Sequence, residues 1–342
     1  MADIRLPLAV TSGEPAGIGP DVTLQCWAER GLMALPPFYV RTDPDLLRSR
    51  AARLGLDVPI IEVAPEDACE AFSGALPVVS AGQSVADLPG EPDSSTAGAV
   101  IASIDACVTD VRKGRAAAVV TNPIAKKTLY DAGFRHPGHT EYLGVLAAQF
   151  GAGPHTPVML LAGPELMVVP VTVHIPLSAV PATLTADLIL EAARIVDRDF
   201  RKRFGLSKPR IAVAGLNPHA GEGGSMGRED IDVIAPALEQ LRNEGLDVSG
   251  PWPADTLFHP EARKTYDCVL GMYHDQVLIP VKTIAFDDTV NVTLGLPFVR
   301  TSPDHGTAFD IAGTGKARPQ SLAAALRMAA VLAEPEHIAG EP

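Results

Sequence analysis

The sequence has few of the residues that build disulfide frameworks, thiolate metal sites or nucleic-acid surfaces. Its four cysteines are scattered without a CxxC pair, a pattern that suits buried thiols in a reducing cytoplasm better than disulfide bonds. Positive charge is scarce, because 28 lysines and arginines stand against 41 acidic residues, for a formal net charge of −13. We therefore expect no nucleic-acid partner and no binding to anionic membranes.

Long hydrophobic runs and a dinucleotide fingerprint are also missing. The most apolar stretch, residues 158–173, is interrupted by Gly163, Pro164 and Glu165, which predicts two strands joined by a turn rather than a membrane span. The amino-terminal segment MADIRLPLAV lacks a basic region followed by a cleavable apolar core, so we expect no secretory signal and a cytoplasmic location. The segment SGEPAGIGP does not have GxGxxG spacing, so a standard Rossmann fold is not supported.

What the chain does contain is enough apolar sequence for a large α/β protein. The chain has 342 residues, 46% of them hydrophobic. This is longer than a chain with a single small hydrophobic core, which favours two domains or one large unit. Short β-rich runs alternate with helical stretches and predict a layered α/β fold. Residues 6–10 are the first predicted strand, and a glycine-rich turn leads from it into a helix that we expect Asp21 to cap.

Three histidines follow predicted buried strands. His174, His219 and His274 come after the apolar runs at residues 168–173, 211–215 and 268–273. In open α/β sheets ligands bind outside the carboxyl ends of the strands. Each histidine alone is more often a core or capping residue, but three neutral imidazoles suit a catalytic zinc or a related divalent ion.

Basic and polar side chains stand close in sequence to His274. Lys282, Asn291 and Arg300 offer two cations and an amide in an otherwise acidic protein. Arginine can grip a carboxylate or phosphate with two parallel hydrogen bonds, and lysine adds a point charge. This predicts a site for an anionic substrate, although a lone lysine is usually a surface residue.

A second candidate anion site lies earlier in the chain. His139 and Thr140 begin a predicted helix and stand beside its exposed N–H groups, a favourable place for an anion, although a simple helix cap explains the same residues. Lys126 and Lys127 follow a predicted strand at residues 117–120. They fit either a solvated helix face or a contact to phosphate.

Six motifs resemble one known family along nearly the whole chain. They are GEPAGIGPD from Gly13, TNPIAKK from Thr121, GHTEYLG from Gly138, GLNPHAGEGGSMGRED from Gly215, GMYHDQ from Gly271 and NVTLGLPFVRTSPDHGTA from Asn291. The chain looks like a member of the 4-hydroxythreonine-4-phosphate dehydrogenase family of vitamin B6 biosynthesis. The motifs are long and ordered, so the resemblance is specific.

The resemblance implies a two-domain α/β/α architecture similar to that of isocitrate and isopropylmalate dehydrogenases. We expect residues 1–130 plus 300–342 to form the first domain, with a cofactor loop, and residues 131–299 to form the second, with most of the metal and substrate ligands. It also implies NAD or NADP as cofactor and one divalent ion (zinc, magnesium or cobalt) per active site. The family further implies a homodimer whose active site lies at the subunit interface.

The roles of individual residues follow from the same resemblance. The metal ligands are His174, His219 and His274. The substrate contacts are His139, Thr140, Lys282, Asn291 and Arg300, and the cofactor segment is Asp304, His305, Gly306 and Thr307. Asp275 and Asp255 are candidates for the general base or for orienting a metal-bound imidazole, and Lys282 is placed with them as a catalytic candidate.

The implied activity is an NAD(P)-dependent oxidation of a CH–OH group with decarboxylation. 4-Phosphohydroxy-L-threonine would give 2-amino-3-oxo-4-phosphooxybutanoate and then 3-amino-2-oxopropyl phosphate. Ser225 and the pair Asp287 and Asp288 depart from the family pattern and leave open a paralogue that oxidises a threonate phosphate or a ring dihydrodiol. A more distant alternative is a binding or acyl-transfer protein without redox chemistry, which would bind neither metal nor NAD.

Overall fold

The computed structural model describes residues 6–136, 138–151 and 155–334. The chain divides into two compact units. Unit 1 contains the described residues up to Pro157 together with Leu296–Ala333, and unit 2 contains Val158–Gly295. The described residues of 131–157 and residues 296–299, which we expected in the second domain, group with unit 1 instead. The core of unit 1 contains Leu143, Leu146, Leu296 and Phe298. Residues 1–5 and 335–342 of the predicted first domain lie outside the described residues.

The strands of unit 1 form a parallel sheet. They are β1 (Leu8–Thr11), β2 (Phe38–Thr42), β3 (Ile60–Glu62), β4 (Leu76–Ser80), β5 (Val119–Val120) and β12 (Arg300–Pro303). Their order is β3-β4-β2-β1-β5-β12, and each neighbouring pair is parallel. β1, β2 and β4 are buried almost throughout, as expected of a sheet covered on both faces. The carboxyl ends of β1, β5 and β12 are therefore neighbours at one edge.

The helices of unit 1 cover this sheet. They are α1 (Gly19–Ala28), α2 (Pro44–Leu54), α3 (Ala68–Ala71), α4 (Ala97–Arg112), α5 (Lys126–Asp131), α6 (His139–Ala147) and α12 (Gln320–Ala333). α4 packs on β1 and β2, and α12 packs on β12 and β5. Ile104 and Cys107 of α4 are fully buried in the resulting core. Such burial of apolar side chains is the main stabilising term.

The predicted cap of α1 was wrong. The helix begins at Gly19, and its N-cap residue Ile18 makes no side-chain capping bond. Asp21 lies instead in the first turn, where it pairs with the buried Arg50. The sequence could not show this, because Arg50 lies 29 residues further along the chain.

Unit 2 has a mixed sheet. Its strands are β6 (Val158–Ala162), β7 (Met167–Thr172), β8 (Arg210–Ala214), β9 (Asp247–Trp252), β10 (Cys268–Tyr273) and β11 (Val290–Leu294). The order is β11-β6-β7-β10-β8-β9, with β11, β6 and β7 antiparallel in succession and the rest parallel. The hairpin of β6 and β7 confirms the two strands predicted within residues 158–173. Among the described helices, none is long and apolar enough to cross a membrane.

The helices of unit 2 are α7 (Val180–Thr183), α8 (Ala186–Phe204), α9 (Ala235–Asn243), α10 (Pro260–Arg263) and α11 (His274–Ile284). α8 shows how the sequence sets their limits. Thr185 accepts a hydrogen bond from the backbone N–H of Leu188, and Gly205 ends the helix at a φ of 69°, the conformation that favours glycine. α11 packs on β7 and β10, so the helix that starts at His274 is fixed to the sheet. The α/β fold class is confirmed.

Candidate active site

Two side chains tie together the carboxyl ends of the three strands that carry the histidines. The Thr172 hydroxyl donates to the carbonyl of Met272 at 2.7 Å and joins β7 to β10. The Gln276 amide accepts from the backbone N–H of Met272 at 2.7 Å and donates to the carbonyl of Gly215 at 2.7 Å, which joins β10 to β8. These bonds fix the relative positions of the loops that follow the strands. The sequence analysis missed both residues.

A close approach at Gly271 brings α11 onto β10. A Cβ atom added to Gly271 would lie 2.3 Å from Cγ1 of Val277, closer than side-chain atoms pack. Glycine at this position therefore lets the first turn of α11 lie against the strand. His274, the first residue of that helix, is held in place as a result.

His174 and His274 are brought together. Their ring centroids lie 5.6 Å apart, as expected for residues that follow adjacent parallel strands. His174 has a left-handed backbone, with a φ of 42°, an uncommon conformation that is often found at functional sites. His274 Nδ1 lies 2.6 Å from Oδ1 of Asp275. A carboxylate in that position fixes the tautomer of the ring and leaves Nε2 for a ligand.

His219 lies in a loop of unusual conformation. Residues 219–223 all have positive φ, with 53° at His219 and 39° at Glu222. The carboxylate of Asp230, only 2% exposed, accepts hydrogen bonds from the backbone N–H groups of Leu216 at 2.9 Å and Asn217 at 3.2 Å. Asp230 thus anchors the start of the loop, and His219 is exposed within it.

The donor chemistry of this edge fits a divalent ion, although the described residues bring together two candidate ligands rather than three. Paired imidazoles, one of them oriented by a carboxylate, are typical metal ligands. Within the described ranges, no group of three or more His, Cys, Asp or Glu side chains is placed to hold a metal ion. His219 is therefore not gathered with His174 and His274 in one such group.

The other predicted residues of unit 2 lie around these loops. Asp255 is exposed in the short turn Ala254–Thr256, which approaches the loop of His219. Lys282 is half-buried in the last turn of α11, with Nζ 5.9 Å from the centroid of the Phe286 ring. Asn291 lies on β11, opposite Leu161 of β6. Of the two aspartates, Asp275 is the one whose carboxylate hydrogen-bonds to a predicted metal ligand, His274.

In unit 1 the structure brings Arg300 and His139 near each other. Arg300, at the start of β12, is only 4% exposed and donates from Nε and Nη2 to the hydroxyl of Thr121, at 3.2 and 2.7 Å. Burial lowers the pKa of Arg300 to about 10. Burial, and then the positive charge of Arg300, lower the pKa of His139 well below its ordinary value. The imidazole is therefore neutral at neutral pH beside a charged guanidinium.

The start of α6 has unused hydrogen-bonding groups. Nε2 of His139 is buried without a hydrogen-bond partner, a costly arrangement that a bound ligand would relieve. The N-cap residue Gly138 offers no side-chain cap to the helix, whose second residue is Thr140. Nζ of Lys126 lies 3.4 Å from the point where a Cβ of Gly138 would stand, whereas the neighbouring Lys127 pairs with Asp131 at 2.6 Å. An anion at this helix start would meet N–H groups and the ammonium of Lys126. It would also lie near the carboxylate of Glu141, whose Oε2 is 3.0 Å from the same Cβ point.

The predicted cofactor segment, residues 304–307, follows β12 and lies against the glycine-rich loop after β1, residues 13–19. The carbonyl of Thr307 accepts a hydrogen bond from the backbone N–H of Ile18 at 2.9 Å. His305 Nδ1 lies 3.0 Å from the carbonyl of Gly306, and its buried Nε2 has no hydrogen-bond partner. The groups of this segment are compatible with a bound nucleotide. Nε2 of His305 could hydrogen-bond to it, and the exposed Gly306 has no side chain to obstruct it.

Fold and strand-end chemistry together define an α/β protein with candidate ligand groups at the carboxyl ends of the strands in each unit. The family model described as pyridoxal phosphate biosynthetic protein PdxA matches residues 34–329. The chain belongs to this family, which confirms the resemblance found in the motifs.

The relatives match nearly the whole chain. A 4-hydroxythreonine-4-phosphate dehydrogenase of Methylorubrum extorquens (strain PA1) is 59% identical over 335 residues, which is 97% of this chain and 96% of the relative. The crystal structure of a 4-hydroxythreonine-4-phosphate dehydrogenase from Klebsiella pneumoniae is 37% identical, with a TM-score of 0.84 and coverage of 96% and 100%. A terephthalate 1,2-cis-dihydrodiol dehydrogenase from Burkholderia xenovorans LB400 is similar at 29% identity and a TM-score of 0.63, covering 96% and 98%.

Proposed function

We propose that this protein is a dehydrogenase of pyridoxine phosphate biosynthesis that oxidises 4-phosphohydroxy-L-threonine with NAD or NADP. The CH–OH group becomes a ketone, the hydride goes to the nicotinamide, and the hydroxyl proton goes to a base. The resulting 2-amino-3-oxo-4-phosphooxybutanoate, a β-keto acid, then loses carbon dioxide and gives 3-amino-2-oxopropyl phosphate. Family membership and the 59% identical relative support this substrate.

The structural observation that carries the proposal is the pair of His174 and His274 at the ends of adjacent parallel strands, 5.6 Å apart. Bound there, a zinc, magnesium or cobalt ion would lower the pKa of the substrate hydroxyl and polarise the ketone. The carboxylate of Asp275 would hold the His274 ring with Nε2 free to act as a ligand. His219 would supply the third imidazole.

The proposed substrate contacts of unit 1 lie on β12 and at the start of α6. Arg300 is held by Thr121, and the neutral His139 with Thr140 offers polar atoms at the start of α6 for the phosphate or carboxylate. Lys282 and Asn291 would bind the remaining polar groups of the substrate. Lys282 is also a candidate to hold or donate a proton during the reaction.

The base that takes the hydroxyl proton is a choice between Asp275 and Asp255. Asp275 already bonds the ring of His274 at 2.6 Å, which supports an orienting role. Asp255 stands in the turn near the loop of His219 and is exposed, which leaves it able to exchange a proton with water. Replacing each with asparagine at saturating metal separates the roles, because loss of the base lowers kcat whatever the metal concentration.

We also propose a homodimer in which the metal site is completed across the subunit interface. Among the described residues of one chain, only His174 and His274 of the three histidines lie next to each other. This agrees with a metal site whose third histidine comes from a second copy of the chain. Mixing His174→Ala chains with His274→Ala chains, and separately with His219→Ala chains, tests this. Recovery of activity in one mixture identifies the ligands on opposite subunits. Inactivity of both mixtures in confirmed heterodimers contradicts a shared site.

A substrate panel tests the proposed activity. Reduction of NAD and NADP is measured with 4-phosphohydroxy-L-threonine, a threonate phosphate and a cis-dihydrodiol, and kcat/KM is compared. We expect kcat/KM for the first substrate to exceed that for the cis-dihydrodiol by at least about 100-fold, since a site built around a phosphate is left unpaired by a substrate that lacks it. The threonate phosphate keeps the phosphate, so its disadvantage should be smaller. The dihydrodiol belongs in the panel because of the 29% identical relative, and a preference for it would overturn the proposed substrate.

A further inference from the structure

Arg50 of α2 is a fully buried arginine in unit 1, with 0% of its side chain exposed. It lies outside every motif that carried the family resemblance. A buried guanidinium is costly unless its donors are satisfied. The bonds of Arg50 therefore show what it holds in place.

Those bonds run to the glycine-rich loop after β1. Nη1 of Arg50 donates to the carbonyl of Gly17 at 3.0 Å, and Nη2 donates to the carbonyl of Pro15 at 2.8 Å. Nε donates to Oδ1 of Asp87 at 2.7 Å, and Nη1 also pairs with Asp21. One rigid, planar group thus grips two carbonyls of the loop and two carboxylates.

The loop so held is bonded in turn to the segment proposed to bind the nucleotide. The backbone N–H of Ile18, next to Gly17, donates to the carbonyl of Thr307 at 2.9 Å. A Cβ added to Gly17 would lie 2.8 Å from that same carbonyl oxygen. The two backbones are therefore in contact, and a shift of the loop moves residues 304–307.

A second connection reaches the same stretch of chain. Oδ2 of Asp21, the partner of Arg50, accepts a hydrogen bond from the backbone N–H of Gly313 at 2.7 Å. Gly313 has a φ of 69°, and a Cβ there would lie 2.8 Å from Cγ of Pro89. The Arg50 network thus holds residues 304–313 at two points, Thr307 and Gly313.

We propose that Arg50 is a positioning residue that sets the conformation of residues 304–307 for the nicotinamide dinucleotide. This inference rests on the proposed function, because it assigns the nucleotide to that segment. Arg50 itself does not touch the cofactor. It acts through the carbonyls of Pro15 and Gly17 and through Asp21.

The decisive variant is Arg50→Lys, which keeps the charge but has a single nitrogen that cannot reach two carbonyls and two carboxylates at once. We expect KM and Kd for NAD to rise by about tenfold, as for loss of one or two buried charged hydrogen bonds. The KM for the phosphorylated substrate and kcat at saturating NAD should stay within about twofold. If the role of Arg50 were merely structural, Arg50→Lys would lower the amount of folded enzyme, and the KM for NAD would not rise relative to the KM for the phosphorylated substrate.

The matched control is Asp110→Asn, which weakens a separate arginine network of unit 1. Asp110 is fully buried and accepts from Tyr39, Arg41 and Arg115, without a bond to residues 304–313. This variant should lower thermal stability and leave the KM for NAD unchanged. If Arg50→Lys does not fold, Gly17→Ala perturbs the same contact from the other side and should raise the KM for NAD.

Calorimetric binding of NAD and NADP to the wild-type chain distinguishes a failure of the proposed function from a failure of the proposed role of Arg50. Wild-type protein that binds neither dinucleotide overturns both the proposed function and the role of Arg50. Wild-type protein that binds NAD, together with Arg50→Lys protein of unchanged Kd, overturns only the role of Arg50. Equal rises in KM for NAD in Arg50→Lys and Asp110→Asn would also overturn it.

Discussion

Replacing Asp275 with asparagine should weaken metal binding without abolishing turnover at saturating metal. The carboxylate lies 2.6 Å from Nδ1 of His274, and loss of such an orienting partner typically reduces metal affinity by about 10- to 100-fold. The Asp275 side chain is 71% exposed, so water competes for the bond and the lower limit applies. We therefore expect about a tenfold loss, or about 1.4 kcal/mol of binding free energy.

Titration of metal-stripped protein with cobalt, followed by its visible absorption or by calorimetry, measures this directly. Asp255→Asn is the matched control, since it removes an exposed aspartate of the same unit that does not bond His274. Its metal affinity should be unchanged. Unaltered cobalt affinity in Asp275→Asn would refute the orienting role, and a lost kcat at saturating metal would assign Asp275 as the base instead.

Three further predictions address pH, packing and substrate binding. The pKa of His139 is lowered in the folded state, so the free energy of unfolding should fall as the pH drops below about 6.5. His139→Gln should reduce this fall, which urea titrations at about pH 7.5 and about pH 5.5 measure. Gly271→Ala should cost about 1–3 kcal/mol in thermal unfolding because its Cβ would lie 2.3 Å from Val277. Lys126→Ala should raise the KM for the phosphorylated substrate by about threefold to tenfold, whereas Lys127→Ala should not change it.

Each of these predictions has its own control. Gly31→Ala adds a Cβ with nothing within 4 Å, so it should be nearly neutral, and equal losses at the two glycines would contradict the packing argument. Identical pH profiles for wild type and His139→Gln would show that protonation of this ring does not oppose folding. Equal KM values in the two lysine variants would contradict a phosphate contact of Lys126.

The sequence predicted the local elements well because they depend on local patterns. The apolar run at residues 268–273 is the strand Cys268–Tyr273, and the first predicted strand, residues 6–10, is observed at Leu8–Thr11. Parallel strands in a common sheet then place the residues that follow them at one edge. That rule is sufficient to bring His174 near His274.

What the sequence could not show are contacts between distant parts of the chain. Arg50 and Gln276 are ordinary helix residues in the sequence, and their roles appear only where they bond backbone carbonyls of other loops. The position of His219 depends on six consecutive positive φ values, at residues 219–224. The glycines of that loop indicate such a conformation but do not determine where His219 lies. Asp21 was assigned to a cap for the same reason, since short-range patterns carry no information on a distant partner.

The most direct test of the proposed function is the absorbance of reduced nicotinamide after mixing the purified protein with 4-phosphohydroxy-L-threonine and NAD or NADP. The measurement is repeated after a chelator and again after the divalent ion is restored. We predict reduction that chelation abolishes and metal restores. Absence of reduction by a protein shown to bind metal and NAD, or reduction that a chelator does not affect, would contradict the account.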